Sequence, residues 1–351
     1  MLEFYKNKKV LITGHTGFKG SWLSIWLNML GAEVIGVALD PINKKDNYVL
    51  SGISSSIKDY REDIRKPDSV KEIVFKEKPE ILFHLAAQPI VLDSYKKPVY
   101  TYETNVMGTV NMLETFRLSD SLKIGVFITT DKCYENIEKN YSYKETDPMG
   151  GYDPYSSSKG AAELAISSYR NSYFTEGDKK IASARAGNVI GGGDWSPYRL
   201  IVDIISALES NTKIKIRNPQ AVRPWQHVLE PLGGYLILAA KMHMEQQYDE
   251  AWNFGPETEN IVTVKQLLEE VIKYYGKGTW IDVSEKEKLH EATLLSLDIT
   301  KAKNKLNWQP KLSFRETVQY TVDWYKKYKT ENVMDLCTNQ IKQYMKNMEH
   351  R

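Results

Sequence analysis

Cysteines and long apolar runs are scarce in this chain of 351 residues. The two cysteines, Cys133 and Cys337, lie far apart in the sequence, which argues against a disulfide framework and favours a reducing compartment. The longest apolar run, near residues 236–240, is too short to cross a membrane. The first predicted strand follows the N-terminus directly and leaves no room for a signal peptide. We therefore expect a cytoplasmic protein without a membrane partner.

The chain also lacks an excess of either charge, because 47 basic and 45 acidic residues give a net charge of +2. With the lysines scattered along the chain, this balance argues against a nucleic-acid partner. No two of the six histidines have the spacing of metal ligands, so no metal site is predicted. The remaining composition is that of an ordinary globular protein, large enough for two lobes.

A glycine-rich turn near the N-terminus is the clearest motif that is present. Gly14, Gly17 and Gly20 have G-x-x-G-x-x-G spacing between a short apolar strand and an apolar helical pattern, and residues 33–39 form a second predicted strand. This order is typical of the first unit of a dinucleotide-binding sheet. The first glycine allows a tight turn, the second leaves room for a pyrophosphate, and the third lets the helix pack on the strand. The free N–H groups of the helix start suit that anion.

Acidic residues after this unit bear on the choice of dinucleotide. Asp40 falls where a carboxylate would hold the adenosine ribose hydroxyls, which favours NAD over NADP, although Lys44 and Lys45 could tolerate a 2′-phosphate. Asp63 could bond to the adenine amino group or could equally be the N-terminal acid of a helix over residues 69–75. The other residues predicted to line the cofactor site are His15, Thr16, Phe18, Ile64, Leu85, Ala86, Ala87 and Thr104.

Strands that alternate with helices predict the fold class. Apolar strand patterns at 80–87, 123–130 and 180–186 alternate with helical patterns at 104–118 and after residue 153. This alternation predicts an α/β fold with a doubly wound parallel Rossmann sheet. The pattern is less regular beyond residue 188, as expected for a smaller, mostly C-terminal substrate-binding domain. We assign residues 1–187 and 226–257 to the dinucleotide-binding domain, and residues 188–225 and 258–351 to the sugar-nucleotide-binding domain.

The candidate catalytic residues are Tyr155, Lys159 and Thr130. Tyr155 and Lys159 are four residues apart on a helix that Asp153 can cap, so both point from the same helical face. A tyrosine with a pKa of about 10 is a poor base at neutral pH, but a nearby ammonium lowers that pKa. Tyr155 is predicted to take a proton from a substrate hydroxyl while Lys159 bonds to the nicotinamide ribose. Thr130, at the end of a predicted strand, would bond to the reacting oxygen.

These residues give the chain a resemblance to the extended short-chain dehydrogenase/reductase family. The segment GHTGFKG at 14–20 and the Tyr–Lys pair are shared across that family. The segments TDKCYEN at 130–136, GNVIGGGDW at 187–195 and RPWQHV at 223–228 are similar to those of the 4,6-dehydratases that act on CDP-glucose. The resemblance covers residues 3–330. It implies bound NAD, a redox-neutral loss of water that yields a 4-keto-6-deoxy sugar nucleotide, and a homodimer or homotetramer.

The elimination of water requires an acid for the 6-hydroxyl and a base for the C5 proton. The resemblance places Asp131 and Lys132 in these roles. An ammonium cannot abstract a proton unless its pKa falls towards neutral. Lys132 is therefore either a base with a lowered pKa, which we favour, or an electrostatic partner that keeps Asp131 charged.

Residues for the substrate follow in the second half of the chain. Arg223 can grip a phosphate with two hydrogen bonds, and the resemblance implies that Asn188 contacts the glycosyl phosphate or the sugar. Trp195 or Trp225 could stack on a ring or could simply be packed in the core. The rest of the predicted substrate-binding set is Gln88, Arg199, Arg217 and His290.

Two other functions are compatible with parts of this pattern. A sugar-nucleotide 4-epimerase shares the fold, NAD and the Tyr–Lys pair, but it does not need Asp131 and Lys132. A non-catalytic NAD(H) sensor would be expected to lack the Tyr–Lys pair or the acid at the strand end. The sequence therefore favours a dehydratase.

Overall fold

The computed structural model describes residues 1–137, 139, 141–245, 247–284 and 295–350. Its strands are β1 (Lys9–Thr13), β2 (Glu33–Ala38), β3 (Lys58–Arg61), β4 (Ile81–His84), β5 (Ile124–Ile128), β6 (Ser142–Tyr143), β7 (Lys180–Ala186), β8 (Val189–Ile190), β9 (Ile214–Ile216), β10 (Val222–Pro224), β11 (Gln226–His227), β12 (Ala251–Phe254), β13 (Ile261–Thr263), β14 (Trp280–Asp282) and β15 (Ser296–Leu297). Its α-helices are α1 (Phe18–Met29), α2 (Asn47–Ser51), α3 (Pro67–Glu77), α4 (Val91–Lys96), α5 (Pro98–Tyr102), α6 (Gly108–Leu118), α7 (Pro154–Tyr173), α8 (Leu200–Glu209), α9 (Leu229–Met244), α10 (Val264–Tyr275), α11 (Phe314–Lys327) and α12 (Val333–His350).

A parallel sheet with the strand order β12-β7-β5-β4-β1-β2-β3 forms the centre of the molecule. The chain builds outward from β1 to β3 and then crosses back to add β4 on the other side of β1. Ligands of such sheets bind at this switch point, beside the carboxyl ends of the strands. The predicted doubly wound α/β fold is confirmed.

Apolar layers cover both faces of this sheet, as its nearly continuous apolar strands require. One layer contains Trp22 and Trp26 of α1 together with residues of α9, and the other contains Leu113 and Phe116 of α6. All five residues of β5 are buried. The strands are therefore held rigidly, and the residues that follow them have defined positions at the carboxyl edge.

Several predicted elements have different bounds in the structure. The helix predicted over 104–118 begins with a π-helical turn at Glu103–Met107 before α6. The strand predicted over 80–87 ends at His84, and residues 85–88 turn away into the crevice. The last helix, α12, is joined to α9 by Tyr344, which donates a 2.7 Å hydrogen bond to Glu230.

Most of the elements after residue 187 lie outside the central sheet. This part contains the strand pairs β8–β11, β9–β14 and β10–β13 together with α8, α10 and α11. No helix in the described ranges has the length and apolarity needed to cross a membrane.

Candidate active site

The glycine turn after β1 lies at the switch point of the sheet. Gly14 has φ +77°, and a Cβ on it would lie 2.7 Å from the backbone nitrogen of Ala86, so no other residue fits without displacing the next strand end. The exposed Gly17 is the N-cap of α1, and it has no side chain that could bond to the first backbone N–H groups of the helix. The backbone N–H groups of this helix start are therefore open to an anion, which fits the pyrophosphate of a dinucleotide.

The wall opposite the glycine turn consists of small side chains and one unsatisfied hydroxyl. Residues 85–87 are half-buried, and the backbone N–H of Ala86 donates to Thr13 Oγ1 at 3.3 Å. Thr104 is buried, and its Oγ1 has no hydrogen-bond partner among the described residues. Ile64 is buried and packs against Gly108. The turn, this wall and the free hydroxyl fit a bound dinucleotide at the predicted residues.

Charged groups pair with one another near the ends of β2 and β3, and the sequence did not indicate this pairing. Arg61 Nε lies 3.1 Å from Asp40 Oδ1, and the same guanidinium also pairs with Asp59. His15 is fully buried with Nε2 2.7 Å from Asp59 Oδ1, while Thr16 Oγ1 donates to the Leu39 carbonyl at 3.0 Å. Burial lowers the pKa of His15 against the opposing effect of Asp59. Asp40 is thus paired with an arginine, although its predicted contact with ribose stays a prediction.

Asp63 is not a helix cap. Both of its carboxylate oxygens accept hydrogen bonds from the Arg65 guanidinium. The two bonds to Oδ2 are 2.6 Å long from Nη2 and 2.9 Å long from Nε. The following helix, α3, begins at Pro67 with Lys66 as its N-cap. The alternative prediction, in which Asp63 is the N-terminal acid of that helix, is wrong because the chain turns at Arg65 first. The adenine contact stays a prediction.

Three of the predicted catalytic residues lie together where β5 ends. Thr130 Oγ1 donates to Asp131 Oδ1 at 2.9 Å and caps the short 3-10 helix Asp131–Cys133. The Thr130 hydroxyl also faces the phenol of Tyr155, in the first turn of α7. That turn is fixed by Asp153, whose Oδ1 accepts from Ser156 N at 3.0 Å. The predicted capping of this helix by Asp153 is confirmed.

Burial shifts the pKa of both members of the Tyr–Lys pair. It raises the pKa of Tyr155 to about 12, against the opposing effects of Thr130 and of the charge of Arg199. It lowers the pKa of Lys159 to about 8, against the charge of Glu163. Lys159 Nζ donates to the Ile128 carbonyl at 3.3 Å. In the protein alone, the phenol is therefore neutral and the lysine is largely protonated at neutral pH.

Asp131 is a buried carboxyl group with cations around it. Burial raises its pKa, while Lys132, Thr130 and Lys19 lower it, and the net shift is upward. A Cβ on Gly187 would lie 2.8 Å from Asp131 Oδ2, so the turn after β7 needs glycine to leave this carboxyl in place. A carboxyl that holds its proton more firmly than usual is suited to act as an acid. Lys132 is half-buried beside it.

Lys19 is an active-site cation that the sequence reasoning missed. It lies in the first turn of α1 and faces Arg199, Lys159 and Asp131. Burial and the two neighbouring cations lower its pKa to about 8. A lysine at a helix N-terminus is unfavourable with respect to the helix dipole. That local conflict inside the glycine motif was the signal that could have identified it.

Some of the predicted substrate-binding residues lie near the crevice, and others already bond to groups of the protein. Arg199 is the N-cap residue of α8 and faces Tyr155. The backbone carbonyl of Asn188 accepts from Gln226 N at 3.2 Å, while its side-chain amide makes no hydrogen bond within the described part of the chain. Arg223 Nη1 donates to the Val222 carbonyl at 2.9 Å. Arg199 and Asn188 thus remain good candidates to contact a ligand.

The remaining substrate predictions receive less support from the geometry. Gln88 is buried, and its amide nitrogen donates to Thr101 Oγ1 at 2.9 Å, so this group is used inside the protein. Trp195 packs edge-on against aromatic rings of α11, and Trp225 is buried, which favours their alternative role in the core. Arg217 is exposed and interacts with Asp203. His290 lies outside the described residues.

No group of three or more His, Cys, Asp or Glu side chains in the described ranges is placed to hold a metal ion.

A doubly wound sheet with a glycine turn and a Thr–Tyr–Lys set at its switch point defines the extended short-chain dehydrogenase/reductase class. Residues 11–321 match the family model described as GDP-mannose 4,6 dehydratase, and the chain belongs to this family.

The chain is also similar to individual proteins over nearly its whole length. It is 45% identical over 351 residues to the CDP-glucose 4,6-dehydratase of Salmonella typhimurium, covering 98% of each chain. It is 27% identical to the CDP-paratose 2-epimerase of Salmonella typhi, covering 90% of this chain and 98% of that protein.

Among solved structures, the UDP-glucose 4-epimerase of Thermotoga maritima with UDP-glucose is 25% identical, with a TM-score of 0.76 over 91% of this chain and 99% of that one. The dTDP-glucose 4,6-dehydratase of Streptomyces venezuelae, with NAD bound, is 22% identical, with a TM-score of 0.79 over 91% and 97%. These likenesses confirm the fold.

Proposed function

We propose that the protein is an NAD-dependent CDP-glucose 4,6-dehydratase, a hydro-lyase that converts CDP-glucose to CDP-4-keto-6-deoxyglucose. One observation carries the proposal: a buried carboxyl, Asp131, is hydrogen-bonded to the same threonine that faces the phenol of Tyr155. A proton donor beside the tyrosine is needed for the loss of water and is not needed for epimerisation. The 45% identity to a CDP-glucose 4,6-dehydratase along the whole chain supports the nucleobase.

The cofactor in this proposal is NAD, held at the glycine turn. The open N–H groups at the start of α1 would hold the pyrophosphate, and Thr104 would give its unpartnered hydroxyl to the ligand. Asp40 would accept from the adenosine ribose, and Lys159 would donate to the nicotinamide ribose. When bound, NAD would supply the oxidation of the C4 alcohol and the reduction at C6 that gives the 6-deoxy sugar, so that the overall reaction is redox-neutral.

Tyr155 is the base for the sugar 4-hydroxyl in this proposal. Its phenol needs additional positive charge before it can release its proton, because burial raises its pKa to about 12. The charge of Arg199, which faces the phenol, favours the phenolate, and the ammonium of Lys159 would add to this effect. Thr130 would hold the 4-oxygen in line with Tyr155, so that the proton moves over a single hydrogen bond.

Asp131 and Lys132 carry out the elimination. The 4-ketone acidifies the C5 proton, which Lys132 would remove as the base. The electron pair forms the C5–C6 double bond, the C6–O bond breaks, and the Asp131 carboxyl gives its proton to the departing hydroxyl to form water. The resulting Asp131 carboxylate is stabilised by the charges of Lys132 and Lys19.

The substrate would be anchored by residues beyond β7. Arg199 and Arg223 would pair with the diphosphate, and Asn188 would contact the glycosyl phosphate or the sugar. We assign this role to residues 188–225 and 258–351, and dinucleotide binding to residues 1–187 and 226–257. The two cysteines are buried and free, which fits a reducing cytoplasm.

A second copy of this chain is the partner we propose. Large apolar side chains are exposed on two neighbouring helical segments, with Val99 69% exposed on α5 and Leu164 62% exposed on α7. Tyr102, Met107 and Tyr173 add to this surface. Exposed apolar side chains on neighbouring helical segments are typical of a subunit interface. Packing α5 and α7 against the same helices of a second copy would give a homodimer, or a homotetramer if two dimers associate.

The assay that tests the function is incubation with CDP-glucose and NAD, followed by alkali to develop the chromophore of a 4-keto-6-deoxy sugar. We expect product from CDP-glucose and much less from dTDP-glucose run in parallel. A product that retains its C6 oxygen would instead indicate a 4-epimerase. The absence of a 4-keto product from CDP-, dTDP- and GDP-glucose would support the sensor alternative.

A further inference from the structure

A buried ion pair joins α7, the helix that carries Tyr155, to the strand β7. Glu163 of α7 and Arg185 of β7 are joined by a 2.7 Å contact between Oε2 and Nη2, and both are at most 4% exposed. A buried ion pair contributes little to stability unless its remaining hydrogen-bonding groups are satisfied. The other bonds of this pair therefore indicate what it holds in place.

Glu163 is bonded to the end of β5. Its Oε1 accepts from Thr129 Oγ1, the residue directly before Thr130, and its Oε2 also accepts from Ser183 Oγ at 2.8 Å. One helical turn earlier on α7, Lys159 donates to the carbonyl of Ile128 at 3.3 Å. The helix that carries Tyr155 is thus attached to two consecutive residues of the strand that leads to Thr130.

Arg185 is bonded to the other end of the same segment. Its Nη1 donates to Tyr134 Oη at 2.7 Å, and its guanidinium lies 4.9 Å from the centre of that ring. Tyr134 directly follows the short helix Asp131–Cys133, and its hydroxyl donates to Asn253 Oδ1 at 2.7 Å. One ion pair therefore contacts both Thr129 and Tyr134, the residues that flank Thr130, Asp131 and Lys132.

We propose that Glu163 and Arg185 are positioning residues for the reaction: they fix both ends of segment 129–134 against α7, and Glu163, one helical turn from Lys159, is the acidic partner of its ammonium. The catalytic part of this inference rests on the proposed function. Neither side chain is proposed to touch the substrate.

Several titratable side chains surround the ammonium group of Lys159. Glu163 on the same helix and Cys133 at the end of the 3-10 helix raise the pKa of Lys159, which burial lowers to about 8. Lys19 of α1 and His84 of β4 also face it, and His84 is neutral because burial lowers its pKa to about 3. Glu163 is therefore the charged group that opposes burial, and without it the pKa of Lys159 should fall further.

Glu163→Gln tests this effect without changing the shape of the side chain. The titration of Lys159 can be followed in the ligand-free protein by competitive acetylation over a pH series and mass spectrometry of its peptide. We expect the half-labelling pH to fall by about one unit, and the alkaline limb of the kcat profile with CDP-glucose to move with it. Ser183→Ala, which removes one neutral hydrogen bond to Glu163, is the matched control and should leave both profiles in place. A Glu163→Gln variant with the wild-type titration and profile would overturn the electrostatic role.

Tyr134→Phe tests the positioning role and does not depend on the folding of the Glu163 variant. It removes the hydroxyl that Arg185 holds and keeps the ion pair. We expect solvent deuterium exchange at C5 to slow about tenfold, with the KM for CDP-glucose within about twofold and the Lys159 titration unchanged. Wild-type exchange in this variant would refute the positioning role. If the unmodified enzyme forms no 4-keto product, the proposed function fails, whereas the acetylation series still decides the role of Glu163.

Discussion

Lys132 and Asp131 follow Thr130 directly, and the structure treats the two side chains differently. Asp131 is only 4% exposed, and burial raises its pKa, whereas Lys132 is half-buried. The carboxyl is thus prepared to give a proton. The base role of Lys132 is a separate hypothesis that needs a test of its own.

Lys132→Ala should retain C4 oxidation and lose the exchange of the C5 proton with solvent. A positioned general base contributes about a hundredfold or more in rate, so the exchange should slow by at least that factor. Deuterium incorporation at C5, measured by mass spectrometry, follows the second step, and the absorbance of reduced cofactor in a single turnover follows the first. Lys144→Ala, at an exposed lysine, is the matched control. Normal C5 exchange in the Lys132 variant would rule out the base role.

Sequence reasoning identified the residue types at the crevice better than their electrostatic state. Tyr155, Thr130 and Asp131 do lie together, because each directly follows a strand end or begins a helix whose position the sheet fixes. The hydrogen bonds of Gln88 and the pairing of Asp40 with Arg61 were not foreseen. These pairings join segments whose relative placement depends on the folded chain, and no local pattern encodes them.

At the level of elements, the buried strands and capped helices were predictable and the irregular turns were not. Asp153 before Pro154 indicated the start of α7, because a capping acid and a proline at the first position suit a helix N-terminus. The π-helical turn at Glu103–Met107 gave no such signal. It depends on how this helix packs in the folded protein, which periodicity does not reveal.

A buried carboxyl group on α9 contributes to the docking of α12. Glu230 of α9 accepts hydrogen bonds from the backbone nitrogens of Lys311 and Leu312, at 2.8 Å and 2.7 Å, and from Tyr344 Oη at 2.7 Å. Burial raises the pKa of Glu230 to about 7, against these hydrogen bonds. The native protein therefore binds a proton here that the unfolded chain has lost above about pH 4.5.

Because the pKa is raised in the folded state, Glu230 should make the protein less stable as the pH rises from about 4.5 to about 7. The full effect corresponds to about 3 kcal/mol in the free energy of unfolding. Glu230→Gln should remove this contribution, so that its urea midpoint falls less between pH 5 and pH 8 than that of the wild type. Tyr344→Phe removes one hydrogen bond and keeps the carboxyl, so it should retain the pH dependence. Equal pH dependence in the wild type and the Glu230 variant would contradict this account.

For the whole molecule, the exposed apolar residues on α5 and α7 connect the fold to its proposed assembly. Helix α7 carries Tyr155 and Lys159 on its buried side, while Leu164 on the same helix is 62% exposed. A second copy packed on that surface would contact the exposed side of α7, whereas Glu163 and Arg185 fix its buried side. Assembly and catalysis would then depend on the same helix.

Leu164→Glu should convert the dimer to monomers. Burying a leucine stabilises an interface by about 2 kcal/mol, and in a twofold-symmetric interface each substitution acts twice while also introducing a charge that must lose its water. Sedimentation velocity over a concentration series measures the mass of the particle. Ile42→Glu, at a residue that is 92% exposed on a different segment, is the matched control and should leave the mass unchanged. A Leu164 variant with the mass of the wild type, or a wild type that is itself monomeric, would show that this surface does not join two copies.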